Sequence, residues 1–264
     1  MAESLNRAFL YGESVFTTLK MENGELKHWD LHFDRLKKGI EFMFGPFLDQ
    51  DNWVPVFKNR LESTIQHEEG EKVVRWTVYR HQARGLRKLN LISTSDLKIH
   101  ASVRTFEPDR TVGRSVRLRS CPAPMKPHWW PEYLKAGSYL DTILAQRFYL
   151  KENDDDVLFL SPNDTLLESS VANIFVVRHN KLYTAPTGPN VLDGVMRKRV
   201  IEVAAEIFED VVEVATDMEQ ALKADAIFAT NSVRGIFMVQ ALDDHEFNPD
   251  PELVKKINSL RAHV

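Results

Sequence analysis

The stretch Tyr133–Val177, YLKAGSYLDTILAQRFYLKENDDDVLFLSPNDTLLESSVANIFVV, contains the change of pattern that decides the fold. Its first part is rich in Leu, Ala, Tyr and Phe at helical spacing. A long helix is therefore predicted over Glu132–Glu152, with Lys135 at its opening. The acidic turn Asn153-Asp154-Asp155-Asp156 ends that helix. VLFLS, the turn Pro162-Asn163-Asp164, LLESS, NIFVVR, the turn His179-Asn180 and KLYTA then read as a strand-rich meander, with Glu168 closing one strand. The stretch thus carries a lysine and a glutamate in two different settings, thirty-three residues apart.

Upstream, the segment from Cys121 to Pro131, CPAPMKPHWWP, contains four prolines. Proline removes a backbone donor and biases its predecessor away from helix, so the segment reads as a connector between domains. Before it, FLYGESVFTTLKM, the turn Glu22-Asn23-Gly24-Glu25 and LKHW form a predicted hairpin, because Asn-Gly favours the positive φ angles of tight turns. A helix follows from Asp30, its expected N-cap, to Ile40 and includes Arg35. A second helix is predicted over Pro55–Glu68, with strands over Glu71–His81, Asp96–Phe106 and Ser115–Arg119. The first hundred or so residues read as an α+β unit of antiparallel strands with helices on one face.

Downstream of the meander, Asn190–Met196 leads into a helix over Arg197–Phe208, whose start can offer free N–H groups to an anion. VVEVAT reads as a strand, MEQALKA as a short helix, and AIFATN as a strand ending at Asn231-Ser232-Val233-Arg234-Gly235. The expected division is an N-terminal α+β domain over 1–120, a connector over 121–131 and a C-terminal α/β domain over 132–264. No internal repeat appears.

Composition narrows the function classes. With 264 residues, 43% of them hydrophobic, the chain can bury a sizeable core. The net charge is −4, from 34 basic and 38 acidic residues without a long basic run, which argues against nucleic-acid and membrane partners. No apolar run nears the roughly 20 residues a bilayer requires. MAESLNRAF lacks the basic-then-apolar pattern of a signal peptide, so a cytoplasmic protein is expected. A lone cysteine, Cys121, excludes an internal disulfide framework and a cysteine-cluster metal site; it reads as a small apolar filler, and no metal is expected.

Six segments in order, RAFLYGESVFTT, HFDRL, YLKAGSYL, LLESSVANIFVV, LDGVMRKRVIEVA and ADAIFATNSVRGI, together resemble the class IV aminotransferase family, the fold type IV pyridoxal-phosphate enzymes, from about Asn6 to about Leu242. The resemblance implies an α+β, two-domain fold of the D-amino-acid aminotransferase type with pyridoxal 5'-phosphate at the domain interface. It also implies a homodimer and a small-molecule amino substrate.

An aldehyde cofactor needs an amine to attach to, and the same amine, once displaced by substrate, can move the Cα proton. The resemblance gives that catalytic role to Lys135. Lys126, in the proline-rich connector, is the competing lysine and reads as surface or substrate-facing. A carboxylate at the pyridinium nitrogen keeps the ring protonated and electron-withdrawing, a role that falls to Glu168. Asp155 and Glu152, in an acidic turn, read as solvated charges. The phosphate is expected on Arg35, on the Val195-Met196 backbone and on Asn231-Ser232, with Leu192 packed on the ring. Taken alone, Arg35 reads equally as a surface helix arginine, and Glu168 as a strand-end glutamate.

This chain departs from the family pattern in several places. Met196 stands where many relatives carry threonine, removing a hydroxyl but not the backbone N–H. Glu13-Ser14 replaces a common Asp-Gly and Met238 a common proline, and Met1–Leu5 leaves the first sheet a shortened edge. Phe16-Thr17-Thr18 resembles the aminodeoxychorismate lyase form of its strand, where aminotransferases more often carry glutamate in the middle. Thr230–Ile236 resembles the lyase ending as well. The expected reaction is therefore the release of pyruvate from 4-amino-4-deoxychorismate to leave 4-aminobenzoate, a folate precursor. Amino transfer on branched-chain or D-amino acids is the alternative, and a non-catalytic relative the second. Arg75 and Arg84 are noted as basic residues that could meet substrate carboxylates, but each reads more readily as an exposed strand arginine and neither is taken as a site residue.

Overall fold

Asn23 and Gly24 both take positive φ, 51° and 80°. They form the two-residue turn that joins strand β1 (Ser14–Glu22) to β2 (Glu25–Leu26) in the register Met21↔Leu26 and Glu22↔Glu25. The computed structural model describes residues 6–45, 53–81, 92–108 and 114–263. Met1–Leu5 and Arg84 lie outside the described residues, and with them the expected shortened edge and one candidate arginine.

The expected hairpin strand is shorter at its start. Arg7–Tyr11 forms a one-turn helix, α1, capped by the Asn6 side chain on the Phe9 N–H at 3.0 Å and ended by Gly12 at φ 68°. Helices α2 (Trp29–Phe44) and α3 (Trp53–Ser63) match two predicted helices. The N-cap of α2 is His28, at φ 53°, rather than Asp30, which sits in the first turn and pairs with Lys58 Nζ at 2.9 Å. Strands β3 (Lys72–Arg80) and β4 (Leu97–Thr105) complete a four-stranded antiparallel sheet of order β2-β1-β3-β4.

Pairing fixes the two faces of this sheet. Val15, Thr17 and Leu19 stand opposite Val78, Trp76 and Val74, and all six side chains are almost fully buried. Helix α2 lies on this face and buries His32, Phe33, Arg35, Leu36, Gly39 and Ile40, a helical stripe. Phe16 and Thr18 stand opposite Thr77 and Arg75 and share the other face.

Strand β5 (Val116–Pro122) was expected with the first group of strands, but it lies parallel to β6 (Asp156–Leu160) in a second sheet. That sheet adds β7 (Leu166–Ser169), β8 (Asn173–Arg178), β9 (Lys181–Thr184), β10 (Asp210–Glu213), β11 (Ala226–Asn231), β12 (Gly235–Leu242) and β13 (His245–Glu246). Its order is β10-β9-β8-β11-β12-β5-β6-β7, and a β7–β8 pairing closes it upon itself.

Closure buries both faces of the central strands. Ile174 and Val176 of β8 join Ile227 and Ala229 of β11 in one apolar cluster. Phe175 and Phe228 point the other way, stacked at 5.1 Å and 7°, and pack with Val200 and Ala204 of helix α5 (Val195–Ala204) and Ile257 of helix α7 (Pro251–Leu260). This is why IFVV, from Ile174 to Val177, is continuously apolar. Helices α4 (Leu140–Tyr149) and α6 (Met218–Leu222) are the remaining α-helices among the described residues.

The chain thus forms two compact units, one of residues 1–106 with Tyr133–Tyr139 and one of Glu107–Glu132 with 140–264. The sequence-based boundary at residue 120 therefore differs. Hydrophobic alternation identifies Val116–Pro122 as a strand but cannot say which sheet receives it.

One ionic clip in the second unit generates a pH prediction. Arg119 grips Asp154 through Nε at 2.8 Å and Nη2 at 3.2 Å, and the Lys151 N–H donates to the same carboxylate at 2.8 Å. Burial opposes the charge of Asp154, but these donors outweigh it and hold the group below the ordinary aspartate value of 3.8. A lowered folded pKa contributes stability that is present above 3.8 and lost as pH falls through the folded value. Asp154→Asn is expected to cost about 1 kcal/mol at pH 7. Urea unfolding across an acid series should show the wild-type advantage vanish at the acid end.

Candidate active site

Lys135 sits in an extended segment, not at the opening of a helix. Its carbonyl accepts the Phe16 N–H at 2.9 Å, the Gly137 N–H donates to the Ser14 carbonyl at 2.8 Å, and Ala136 bridges Val15. Because β2 pairs only with Met21 and Glu22, the first half of β1 has an open edge, and residues 135–137 pair with it. Backbone groups committed to β1 cannot close helical turns, so α4 begins only at Leu140. Gly137 packs closely on β1, and an added Cβ would lie 2.0 Å from Ser14 Oγ and displace that hydroxyl.

Around the lysine, the first unit assembles an aromatic and cationic surround. Lys135 Nζ lies 4.8 Å from the Phe16 ring centre and donates to the Tyr139 hydroxyl at 3.4 Å. Tyr139 and Phe16 meet at 5.7 Å, and the Arg75 guanidinium lies 3.7 Å over the same Phe16 ring. Burial lowers the pKa of Arg75, partly offset by Tyr139. Lys126 lies in the other unit, where its N–H donates to Asn190 Oδ1 at 2.9 Å.

Arg35 is buried on α2, 7% exposed, which removes the surface-arginine reading. Its Nη2 lies 3.5 Å from Thr17 Oγ1, and that hydroxyl lies 2.7 Å from His32 Nδ1. His32 is fully buried. Burial first, then the positive charges of Arg35, His28 and Lys135, hold its pKa well below the ordinary histidine value.

In the second unit, strand register aligns the remaining candidates. Glu168 of β7 stands opposite Asn173 of β8, and Asn173 stands opposite Thr230 of β11, one residue before Asn231. Glu168 Oε2 accepts the Leu192 N–H at 2.8 Å and Asn173 Nδ2 at 3.2 Å, while Asn173 Nδ2 also donates to the Leu192 carbonyl at 2.9 Å. A carboxylate, a carboxamide and a main-chain peptide therefore hold one another. Two residues on, Gly194 approaches so closely that an added Cβ would lie 2.0 Å from Asn173 Oδ1.

Helix α5 starts at Val195 and Met196, one residue pair earlier than expected, with Gly194 as an N-cap that provides no side-chain hydrogen bond. Its first N–H groups are thus left for an external acceptor. Asn231 Oδ1 accepts the Val233 and Arg234 N–H groups at 3.0 and 2.9 Å, which folds the Asn231–Arg234 loop around its own side chain. Ser232 sits half-buried in that loop.

Each unit by itself carries groups of the kind that an anionic pyridine-aldehyde cofactor needs. The first unit offers an amine with no carboxylate in ion-pair reach among the described residues and a buried guanidinium. The second offers a fixed carboxylate and an uncapped helix start. Sequence reasoning missed Tyr139, His32 and Asn173. His32 precedes Arg35 by one helical turn, and that spacing is the one signal that could have found it.

The chain is similar to known proteins in sequence and in fold. The family model for Amino-transferase class IV matches residues 14–242. The Aminodeoxychorismate lyase of Vibrio harveyi is 23% identical over 98% of this chain and 94% of its own length. The crystal structure of 4-amino-4-deoxychorismate lyase from Pseudomonas aeruginosa superposes with a TM-score of 0.76 at 21% identity, covering 100% of this chain and 96% of that one. The branched-chain aminotransferase of the archaeon Thermoproteus uzoniensis, solved with norvaline, gives a TM-score of 0.80, also at 21% identity, with 97% of this chain and 86% of that one covered.

Gly194→Ala should push Asn173 from its place and break its bonds to Glu168 and Leu192. The expected loss is about 2 kcal/mol, measured by chemical denaturation.

Proposed function

The chain belongs to the class IV amino-transferase family, and on that premise we propose that it is a pyridoxal-phosphate-dependent lyase that releases pyruvate from 4-amino-4-deoxychorismate and leaves 4-aminobenzoate. When bound, the cofactor supplies an aldehyde that condenses with amines and an electron-poor ring that takes up the electron pair left by proton removal.

Lys135 would be the residue that holds the aldehyde, and its amine would be the base for the proton on the carbon bearing the substrate's amino group. The aromatic surround of Phe16 and Tyr139 supports this role, because an amine beside a ring and a phenol is available where one paired to a carboxylate is not. Glu168 would hold the proton on the ring nitrogen, its carboxylate fixed in place by the two N–H donors to Oε2. Arg35, the Val195 and Met196 N–H groups, Asn231 and Ser232 hold the phosphate. Leu192 covers one face of the ring.

The observation that carries the choice of reaction is Thr17. It is fully buried, and its hydroxyl meets His32 and Arg35, at the middle position of the strand where, by the resemblance, aminotransferases more often carry glutamate. The near end-to-end match to the Vibrio harveyi lyase supports the same choice. Fold alone does not separate the reactions, since lyase and aminotransferase structures superpose with similar scores, 0.76 and 0.80.

Purified protein given 4-amino-4-deoxychorismate is expected to release pyruvate without amino transfer. A panel of branched-chain and D-amino acids with 2-oxoglutarate should stay unreacted; the opposite pair of results would establish the aminotransferase alternative. The protein should be yellow, with a visible band that disappears on borohydride reduction, and Lys135→Ala should lack the reducible band.

A homodimer, in the cytoplasm, belongs to the same reading. Its support is helix α4, which exposes Leu140, Ile143, Leu144 and Phe148 along one stripe, at 63, 57, 38 and 74%. Phe148→Glu should shift the mass measured by light scattering from dimer to monomer.

A further inference from the structure

Arg35, Thr17 and His32 form a buried polar row between α2 and β1, with the exposures of Thr17 and His32 both at 0%. A guanidinium has only donors, so at the 3.5 Å contact Thr17 Oγ1 accepts from Arg35. The 2.7 Å contact with His32 Nδ1 fits either ring tautomer, since the hydroxyl has both a hydrogen to give and a second lone pair; in one of them His32 Nδ1 accepts that hydrogen. That tautomer puts the imidazole proton on Nε2, an atom that is buried and without a partner.

Leaving a buried polar atom unpaired costs about 1–3 kcal/mol, so a fully buried histidine in this state needs a compensating use. Charge gives one. Burial first, then the positive charges of Arg35, of His28 at the N-cap of α2 and of Lys135 in the paired segment, keep the ring neutral. A neutral ring accepts from the hydroxyl without competing with Arg35 for an anion.

We propose that Thr17 and His32 are positioning residues for Arg35: the neutral imidazole orients the threonine hydroxyl, and that hydroxyl holds the guanidinium in line for a phosphate. The inference rests on the reading of Arg35 as a phosphate-binding residue. It assigns the pair a role in anion recognition and not in proton transfer. Neither Thr17 nor the neutral His32 brings a negative charge to Arg35, so the pair orients the guanidinium without neutralising it.

The test compares two probes on the full chain freed of cofactor: pyridoxal 5'-phosphate and pyridoxal, which lacks the phosphate. Dissociation constants are read from the visible absorbance. Thr17→Val and His32→Leu should each weaken pyridoxal 5'-phosphate about tenfold and leave pyridoxal within about twofold, whereas Thr17→Ser and His32→Asn should restore wild-type binding. Thr17→Val is nearly isosteric and carries the test if His32→Leu does not fold.

Arg35→Gln separates the two ways of failing. If it weakens pyridoxal 5'-phosphate while Thr17→Val binds like wild type, the positioning role is overturned and the arginine reading stands. Equal losses for both probes in Thr17→Val overturn it too, by showing general damage to the pocket. If Arg35→Gln leaves pyridoxal 5'-phosphate affinity unchanged, the phosphate reading itself falls.

Discussion

The first unit depends on a main-chain pairing, the Phe16 N–H to the Lys135 carbonyl and the Gly137 N–H to the Ser14 carbonyl. It takes a segment more than a hundred residues away in sequence and makes it the continuation of an edge left open by a two-residue β2. The placement of Lys135 follows from it. The amine reaches Phe16 because that residue's backbone is bonded to the lysine's own carbonyl. Small residues permit the approach: Gly137 against Ser14 and Gly12 against Ser138, where an added Cβ would lie 3.3 Å from Ser138 Cβ. Hydrogen bonding of this kind fixes position to a few tenths of an ångström while leaving the side chain uncommitted.

The second unit positions its residues by register. Glu168, Asn173 and Thr230 lie in one row across three strands, and period-two alternation puts the first two on the side where Phe175 and Phe228 pack against α5 and α7. The apolar packing beneath and the polar triangle above therefore come from the same alternation. A carboxylate held by Leu192 and Asn173 cannot wander. The triangle also fixes where the chain enters α5, whose N-cap lies two residues past Leu192.

Much of this was legible in the residues. Asn23-Gly24 announced its turn, and HFDRL its helix with Arg35 upon it. NIFVV read as a strand, and the loop at Asn231 ended the strand where it was expected. The misreadings share one cause. Tyr133–Tyr139 has helical spacing, yet its backbone is captured by β1. Val116–Pro122 alternates as a strand, yet alternation does not name its sheet. Asp30 has the chemistry of an N-cap, but the backbone turns at His28. In each case a local signal was overruled by a partner distant in sequence. His32 and Asn173 escaped notice because their significance lies in what they bond, Thr17 in one case and Glu168 with Leu192 in the other.

The sequence by itself determined the family and the α+β class, since these rest on residue type and on six segments in order, and through the resemblance it named Lys135, Glu168 and Arg35 of α2 as candidates. Tertiary structure alone decided that Lys135 lies on an extended segment beside Phe16 and Tyr139. It also decided that Arg35 is buried in a row with a neutral histidine, and that Glu168 is held by a peptide and a carboxamide. Those facts depend on hydrogen bonds between strands and between helix and strand, whose partners stand side by side only after the chain has folded.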